Sequence, residues 1–279
     1  MIMQKERELI VEYGKKLSAS GLCPGTSGNL SICDRETGLM AISPSGMDYF
    51  EVTPEDIVVL DINAYLSAND TQTDSLVSSD SDQTSDTKSD RTDLYAVQSK
   101  PFQIADGTRK PSSEWALHSK FYKVRPEIAS VIHTHSVYAT TFSVLNQPLK
   151  PVHFAFGRVG AMEVPCAPYA LFGTMELADI AARTAAEAGS NAVLLANHGI
   201  ICCGADPCFT ADIGGKVGAG SKLSSNSAIA IKAAYELACD LEYCAELQYR
   251  AMSIGSPVYL SESQMTDVLN QFKGYGQPT

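Results

Sequence analysis

Two short apolar runs that each end on histidine constrain this chain more than any other feature. The first, Ala129-Ser130-Val131-Ile132-His133-Thr134-His135-Ser136, is short and β-branched, which predicts a buried strand. Side chains at i and i+2 of an extended segment project to the same side, so His133 and His135 aim two imidazoles at one point. The second run, Ala192-Val193-Leu194-Leu195-Ala196-Asn197-His198-Gly199, sets His198 at the end of another predicted strand. The chain has only five histidines. Three of them on two strand ends form a three-nitrogen set with an open position, as a catalytic divalent metal requires. Spacing alone leaves equally open a chance His-x-His pair with one ring packed in the core.

The surrounding pattern predicts alternating helices and strands. Leu9, Ile10, Tyr13 and Leu17 recur at helical spacing within 3–19, closed by Gly21. Strands are expected near Asn29–Cys33, Leu39–Ser43 and Ile57–Leu60. From Pro111 onward, helices are expected at Trp115–Val124, Val137–Leu145, Thr174–Ala188, Ala228–Ile254 and Glu262–Phe272. Strands are expected there at Ile128–His133, Ala192–Ala196 and Gly199–Cys203. Residues 67–93 carry seven Asp against one Lys and one Arg and almost nothing apolar. Such a segment cannot offset its ordering entropy by burial, so it reads as a disordered surface insertion inside one domain. A second interruption, rich in Gly, Ser and Lys, covers 209–225. It contains Gly218-Ala219-Gly220-Ser221-Lys222, in which Ser precedes Lys, the wrong order for a phosphate-binding P-loop.

Charge and cysteine usage exclude several classes. The net charge of −11 argues against a nucleic-acid backbone as partner. No apolar run approaches the roughly 18 residues of a membrane span, and the polar start Met1-Ile2-Met3-Gln4-Lys5-Glu6 holds no signal-peptide core. The eight cysteines contain no Cys-x-x-Cys pair. They read as reduced thiols of a cytoplasmic protein.

Three further stretches carry polar chemistry. Pro111-Ser112-Ser113-Glu114-Trp115 opens a predicted helix, and a helix start with two hydroxyls is a natural anion site. Glu114 is expected in the first helical turn, where the helix dipole favours a carboxylate and where it can also serve as a general base. The loops Gly25-Thr26-Ser27-Gly28-Asn29 and Ser43-Pro44-Ser45-Gly46 offer backbone and side-chain donors. Each alone is an ordinary turn. Together they suggest a phosphate pocket built without Lys or Arg. His118, four residues beyond Glu114 and able to share its helix face, is read as structural, and His153 is left open between a structural and a functional role.

In this order, Gly25–Asn29, Ser43–Gly46, Ser112–Trp115, His133–His135 and Asn197–Gly199 resemble the class II aldolase/adducin family, most closely its L-fuculose-1-phosphate aldolase branch. Pro165-Cys166-Ala167-Pro168-Tyr169 and Phe172-Gly173-Thr174 match that branch as well. The resemblance spans nearly the whole chain as a single domain, apart from insertions at about 65–105 and about 208–225. It implies a three-layer α/β/α fold with a central, mainly antiparallel sheet, assembled as a homotetramer with sites at subunit interfaces. It implies one Zn²⁺ per subunit on His133, His135 and His198, with Glu114 near or on the metal. Asn29, Ser45, Gly46, Ser112 and Ser113 would hold the phosphate, and Gly28 would shape its loop.

The implied reaction cleaves a ketose 1-phosphate to dihydroxyacetone phosphate and an aldehyde, with zinc stabilising the enediolate and Glu114 moving the C3 proton. Sugar-phosphate epimerases or dehydratases of the same family, and non-catalytic adducin-like modules, are the alternatives. Epimerase members tend to carry Asp where Glu114 stands, and adducin-like members lack the metal histidines. One departure stands out. Fuculose-phosphate aldolases carry Tyr, reaching in from a neighbouring subunit, where this chain has Phe154 after His153. That shifts the expected substrate towards a 5-deoxypentulose or methylthio-pentulose phosphate. Tyr275 resembles a second family tyrosine and is the remaining candidate catalytic residue.

Overall fold

The fold follows from strands whose two faces are both apolar. A computed structural model describes residues 1–67, 102–207 and 226–272 of the chain. Tyr275, the run 68–101 and the Gly-rich run 208–225 lie outside the described residues. The helices are α1 (Gln4–Ala19), α2 (Asn63–Ser67), α3 (Trp115–Val124), α4 (Val137–Val144), α5 (Met175–Glu187), α6 (Ser227–Ile254) and α7 (Glu262–Phe272). The strands are β1 (Asn29–Asp34), β2 (Leu39–Ile42), β3 (Val58–Asp61), β4 (Gln103–Asp106), β5 (Ile128–Thr134), β6 (Cys166–Ala167), β7 (Ala192–Leu195) and β8 (Gly199–Ala205). They form one sheet in the order β4-β3-β2-β1-β5-β8-β7-β6. Every pairing is antiparallel except the short β6·β7 ladder.

Successive side chains of a strand point to opposite faces, and here each parity feeds a different core. Leu30, Ile32, Ile132, Ile200 and Cys202 pack with α1, α4 and α6. Cys33, Val131, Ile201 and Cys203 pack with α3 and α5. The result is the expected three-layer arrangement. Helix α5 meets the sheet through Ala178, Ala181, Ala182 and Ala185, all fully buried, and their small side chains allow close approach. The seven described cysteines are free, and burial pushes Cys23, Cys33, Cys203 and Cys244 up to about 12, so they act as packing groups. No helix among the described residues is long and apolar enough to cross a membrane.

Two strands depart from the sequence expectation. Strand β4 lies before Pro111, so Gln103–Asp106, for which no strand was expected, belongs to the sheet. Helix α2 likewise extends past residue 65. Strand β4 is an edge strand with three exposed residues, so no apolar alternation announces it. Strand β6 has only two residues.

The fold gathers its polar loops at one end of the sheet. Asn29, which opens β1, pairs with His133 near the end of β5. Beyond His135 the chain turns into α4. Glu242 of α6 accepts hydrogen bonds from the leading amides of that helix, Tyr138 N–H at 2.8 Å and Ala139 N–H at 2.9 Å. A carboxylate there satisfies orphan amides and suits the helix dipole, so the long helix anchors the strand end that carries the histidines.

Candidate active site

His133 and His135 share one parity of β5 and its extension, as the pattern requires. The turn between β7 and β8 brings His198 beside them, with Leu195 and Gly199 paired across its base. Asn197 holds that turn in the left-handed region (φ 56°), which Asn tolerates better than most residues. Its N–H bonds Ser143 O at 3.1 Å. Gly199 is demanded by space. A methyl group there would collide with Thr134 O and reach within 2.9 Å of His135 Cδ2 and 3.1 Å of His133 Cε1. Gly199→Ala should therefore displace both rings and weaken metal binding and activity by about 10- to 100-fold. Metal titration of the purified variant tests this, and wild-type affinity would refute it.

The three rings form a triangle with centroids 4.8, 4.8 and 5.1 Å apart. Their ligand atoms lie within 4.8 Å of one another. His133 is fully buried, and its Nδ1 lies 3.1 Å from Ile200 O. The carbonyl can only accept, so the ring proton sits on Nδ1 and Nε2 presents its lone pair. Burial pushes His133 down to about 3, against the opposing pull of Glu114. His135 is also lowered, chiefly by burial. Neutral imidazoles are the form that ligates.

Glu114 completes the cluster. It immediately precedes α3 rather than lying in its first turn, and its side chain does not cap the helix. The carboxylate turns to the histidines instead, with Oε2 3.2 Å from His133 Nε2 and Oε1 3.4 Å from His198 Nε2. Burial works to raise this carboxyl, but His133, His198 and the Asn29 hydrogen bond outweigh it and hold it below its usual range. Oε1 is buried without a hydrogen-bond partner. His133 Nε2 also lies 2.9 Å from His135 Nε2. Three imidazoles and a carboxylate, one of whose oxygens has no hydrogen-bond partner, thus converge on one place, an arrangement that a bound cation would satisfy. The donor set fits a divalent metal, and three nitrogens with one carboxylate oxygen suit a borderline ion such as zinc.

A cleft of about 420 Å³ opens beside the histidines. It brings together Gly28, Asn29, Ser45, Gly46, Ser112, Ser113, Glu114, His135 and His198. Buried His133 lies behind Glu114. Gly28 has φ +77°, and a side chain there would strike Cys23 Sγ and His133 O, so this loop can only approach the metal strand as glycine. Ser112 is buried, and its Oγ accepts the Glu114 N–H at 3.3 Å. The Ser45 N–H is spent on Lys110 O at 3.0 Å, so this amide is not available to a ligand. Among the described residues, no Lys or Arg lines the cleft. Thr26, Ser27, Asn197 and the apolar wall Tyr169, Ala170 and Phe172 also line it. Thr26 and Ser27 belong to the donor loop expected from the sequence, whereas no local pattern marks Tyr169, Ala170, Phe172 or Asn197 as cleft-lining. Phe154 is half exposed in a short 3₁₀ turn beside His153, with ring centroids 4.3 Å apart, and is not among the cleft-lining residues.

Comparison with known proteins agrees with this geometry. Residues 8–211 match the family profile "Class II Aldolase and Adducin N-terminal domain". The chain is 37% identical over 277 residues to a 5-deoxy-D-ribulose 1-phosphate aldolase of Bacillus thuringiensis serovar kurstaki, covering 99% of this chain and 100% of that protein. It is 30% identical over 194 residues to an L-fuculose phosphate aldolase of Escherichia coli K12, covering 70% of each. A solved L-fuculose 1-phosphate aldolase superposes with a TM-score of 0.71 at 33% identity, covering 98% of both chains. The chain belongs to the class II aldolase and adducin family, as an enzyme of its metal-dependent aldehyde-lyase class.

Proposed function

We propose that this enzyme is a zinc-dependent aldolase that cleaves a 5-deoxyketose 1-phosphate between C3 and C4, releasing dihydroxyacetone phosphate and a small apolar aldehyde. The observation that carries this reading is the pairing of three convergent imidazoles and an unpartnered carboxylate oxygen with a cleft of neutral donors. The full-length similarity to a protein named for 5-deoxyribulose 1-phosphate favours the deoxy substrate. The apolar wall of Tyr169, Ala170 and Phe172 and the presence of Phe154 where fuculose enzymes carry Tyr favour it too.

In this reading Ser45, Gly46, Ser112, Ser113 and Asn29 hold the phosphate, Gly28 lets its loop close, and the start of α3 adds its dipole. Anchoring that group far from the breaking bond fixes where C3 and C4 lie. His133, His135 and His198 would hold the zinc ion, which would supply Lewis acidity for the negative charge that develops on the substrate. Glu114, displaced by the substrate, would move the C3 proton at Oε1: the ionised carboxylate removes it in the condensation direction and is left protonated, and in cleavage that protonated carboxyl returns it to C3 as the C3–C4 electron pair is released. The C4 hydroxyl loses its proton as the aldehyde forms, and Tyr275 of an adjacent copy in a homotetramer is the candidate to relay it to solvent, accepting it as its own hydroxyl proton passes on, while solvent returns a proton to the Glu114 carboxylate before the next cleavage.

The test is a panel of ketose 1-phosphates assayed for released dihydroxyacetone phosphate. A 5-deoxypentulose 1-phosphate should show the highest kcat/KM, above fuculose 1-phosphate by up to about 100-fold. That is the most an apolar pocket usually achieves against an added hydroxyl. Release from none of the panel overturns the aldolase reading.

A further inference from the structure

A directed series of hydrogen bonds ends on the Glu114 carboxylate, and two periodicities create it. Asn29 and Ser31 occupy the parity of β1 opposite to Leu30 and Ile32, and so face α3. Glu114, His118 and Tyr122 follow one another at intervals of four, which keeps them on one side of α3. The two rows interdigitate. Tyr122 Oη lies 2.6 Å from Ser31 Oγ, and Ser31 Oγ lies 2.7 Å from His118 Nδ1. His118 Nε2 bonds Asn29 Oδ1, and Asn29 Nδ2 bonds Glu114 Oε2 at 3.1 Å. Ser31, His118 and Tyr122 are fully buried, and Asn29 is nearly so.

The direction of every bond is determined. An ionised carboxylate only accepts, so the Asn29 amide must turn its N–H to Glu114 and its oxygen to His118. That oxygen requires a donor, so His118 carries its proton on Nε2. Burial holds this ring neutral, with its pKa pushed down to about 4, so Nδ1 must accept. Ser31 therefore donates to His118, and Tyr122 donates to Ser31. Reversing one bond would leave a buried polar atom without a partner, which costs about 1–3 kcal/mol.

We propose that His118, Ser31 and Tyr122 are positioning residues. Their bonds fix the Asn29 amide, which tethers Glu114 Oε2 and leaves Oε1 as the single oxygen free to carry the C3 proton. The role assigned to Oε1 rests on the aldolase reading above, whereas the direction of the bonds does not.

Two measurements test it. Nuclear magnetic resonance of ¹⁵N-histidine-labelled, metal-free protein distinguishes the ring tautomers. His118 should carry its proton on Nε2, opposite to His133, and the opposite tautomer for His118 overturns the proposal. Kinetics of folded, zinc-loaded variants supply the second measurement. Ser31→Ala and His118→Leu should lower kcat by about 10- to 100-fold, with KM and zinc content near wild type. His118→Gln, whose amide N–H can still reach Asn29, should recover most of the loss, and Tyr122→Phe, at the far end, should cost least. Wild-type kcat in Ser31→Ala overturns the proposal, as does a loss in His118→Leu that Gln fails to recover. If the Leu variant does not fold, Ser31→Ala and the tautomer decide. A wild-type enzyme that cleaves no ketose 1-phosphate overturns the aldolase reading instead, and the tautomer of His118 still judges the array.

Discussion

Glu114→Gln lowers kcat by about 10²- to 10⁴-fold, the usual worth of a positioned proton carrier, while fold and zinc content stay close to wild type. Glutamine has the shape of glutamate, and its carbonyl oxygen can still accept the Asn29 N–H that now reaches Oε2 at 3.1 Å. It cannot take up a proton at the position of Oε1, the buried atom that has no hydrogen-bond partner. The ring of His133 keeps its own support from Ile200 O, so the metal ligands need not move. Steady-state release of dihydroxyacetone phosphate, with metal analysis and circular dichroism on the same preparation, measures all three. A variant that retains more than about a tenth of wild-type kcat removes Glu114 from the proton-transfer role, because that lies below the range for such groups.

Removing the proposed zinc should lower turnover by about a thousandfold or more, the worth of several kcal/mol of charge stabilisation, and adding zinc back should restore it. Histidine variants separate ligation from stability. His133 is fully buried and bonds Ile200 O, so His133→Ala leaves a cavity and a lone carbonyl and should cost about 2–5 kcal/mol besides the metal. The side chain of His198 is 15% exposed, so His198→Ala should lose metal binding with a much smaller drop in melting temperature. Equal destabilisation by the two variants would contradict the roles given to these rings. Acid should act late. Protons compete with a metal for imidazole only below the ring's pKa, and burial takes His133 from the usual 6.5 down to about 3. The His133 ring should therefore stay unprotonated as the pH falls through 6.5. Nuclear magnetic resonance titration of the metal-free protein checks this, and protonation of His133 near pH 6 would contradict it.

Several parts of the site were legible in the residues because they obey short periods. His133 and His135 share a side because a strand repeats every two residues. His198 follows an apolar run of the same kind, so its place at a strand end was readable as well. The apolar runs at 129–132 and 192–196 announced buried strands, whereas a sheet covered on both faces was implied only by the family resemblance, and the two cores provide that covering. Other parts left no such mark. Strand β4 is an exposed edge that joins the sheet through backbone hydrogen bonds, which any sequence can make. His118 reads as structural when seen alone. It joins the site only because Ser31 and Asn29 lie across from it, 87 and 89 residues away in the chain. The cleft wall of Tyr169 and Phe172 likewise depends on a loop folding back towards Ser112 and Ser113.

What the sequence determined by itself was the inventory: the residue types at each strand end, the parity that groups them, and hence a three-imidazole centre beside glycine- and serine-rich loops. What only the tertiary structure decided was direction. Which nitrogen of His133 carries the proton, which way the Asn29 amide turns and which oxygen of Glu114 stays free are all set by partners distant in the chain, such as Asn29 and Glu114, 85 residues apart. A hydrogen bond depends on distances of tenths of an ångström and on the angle at the donor. Local periodicity sets the side to which a group points, and packing of the layers sets what it meets there.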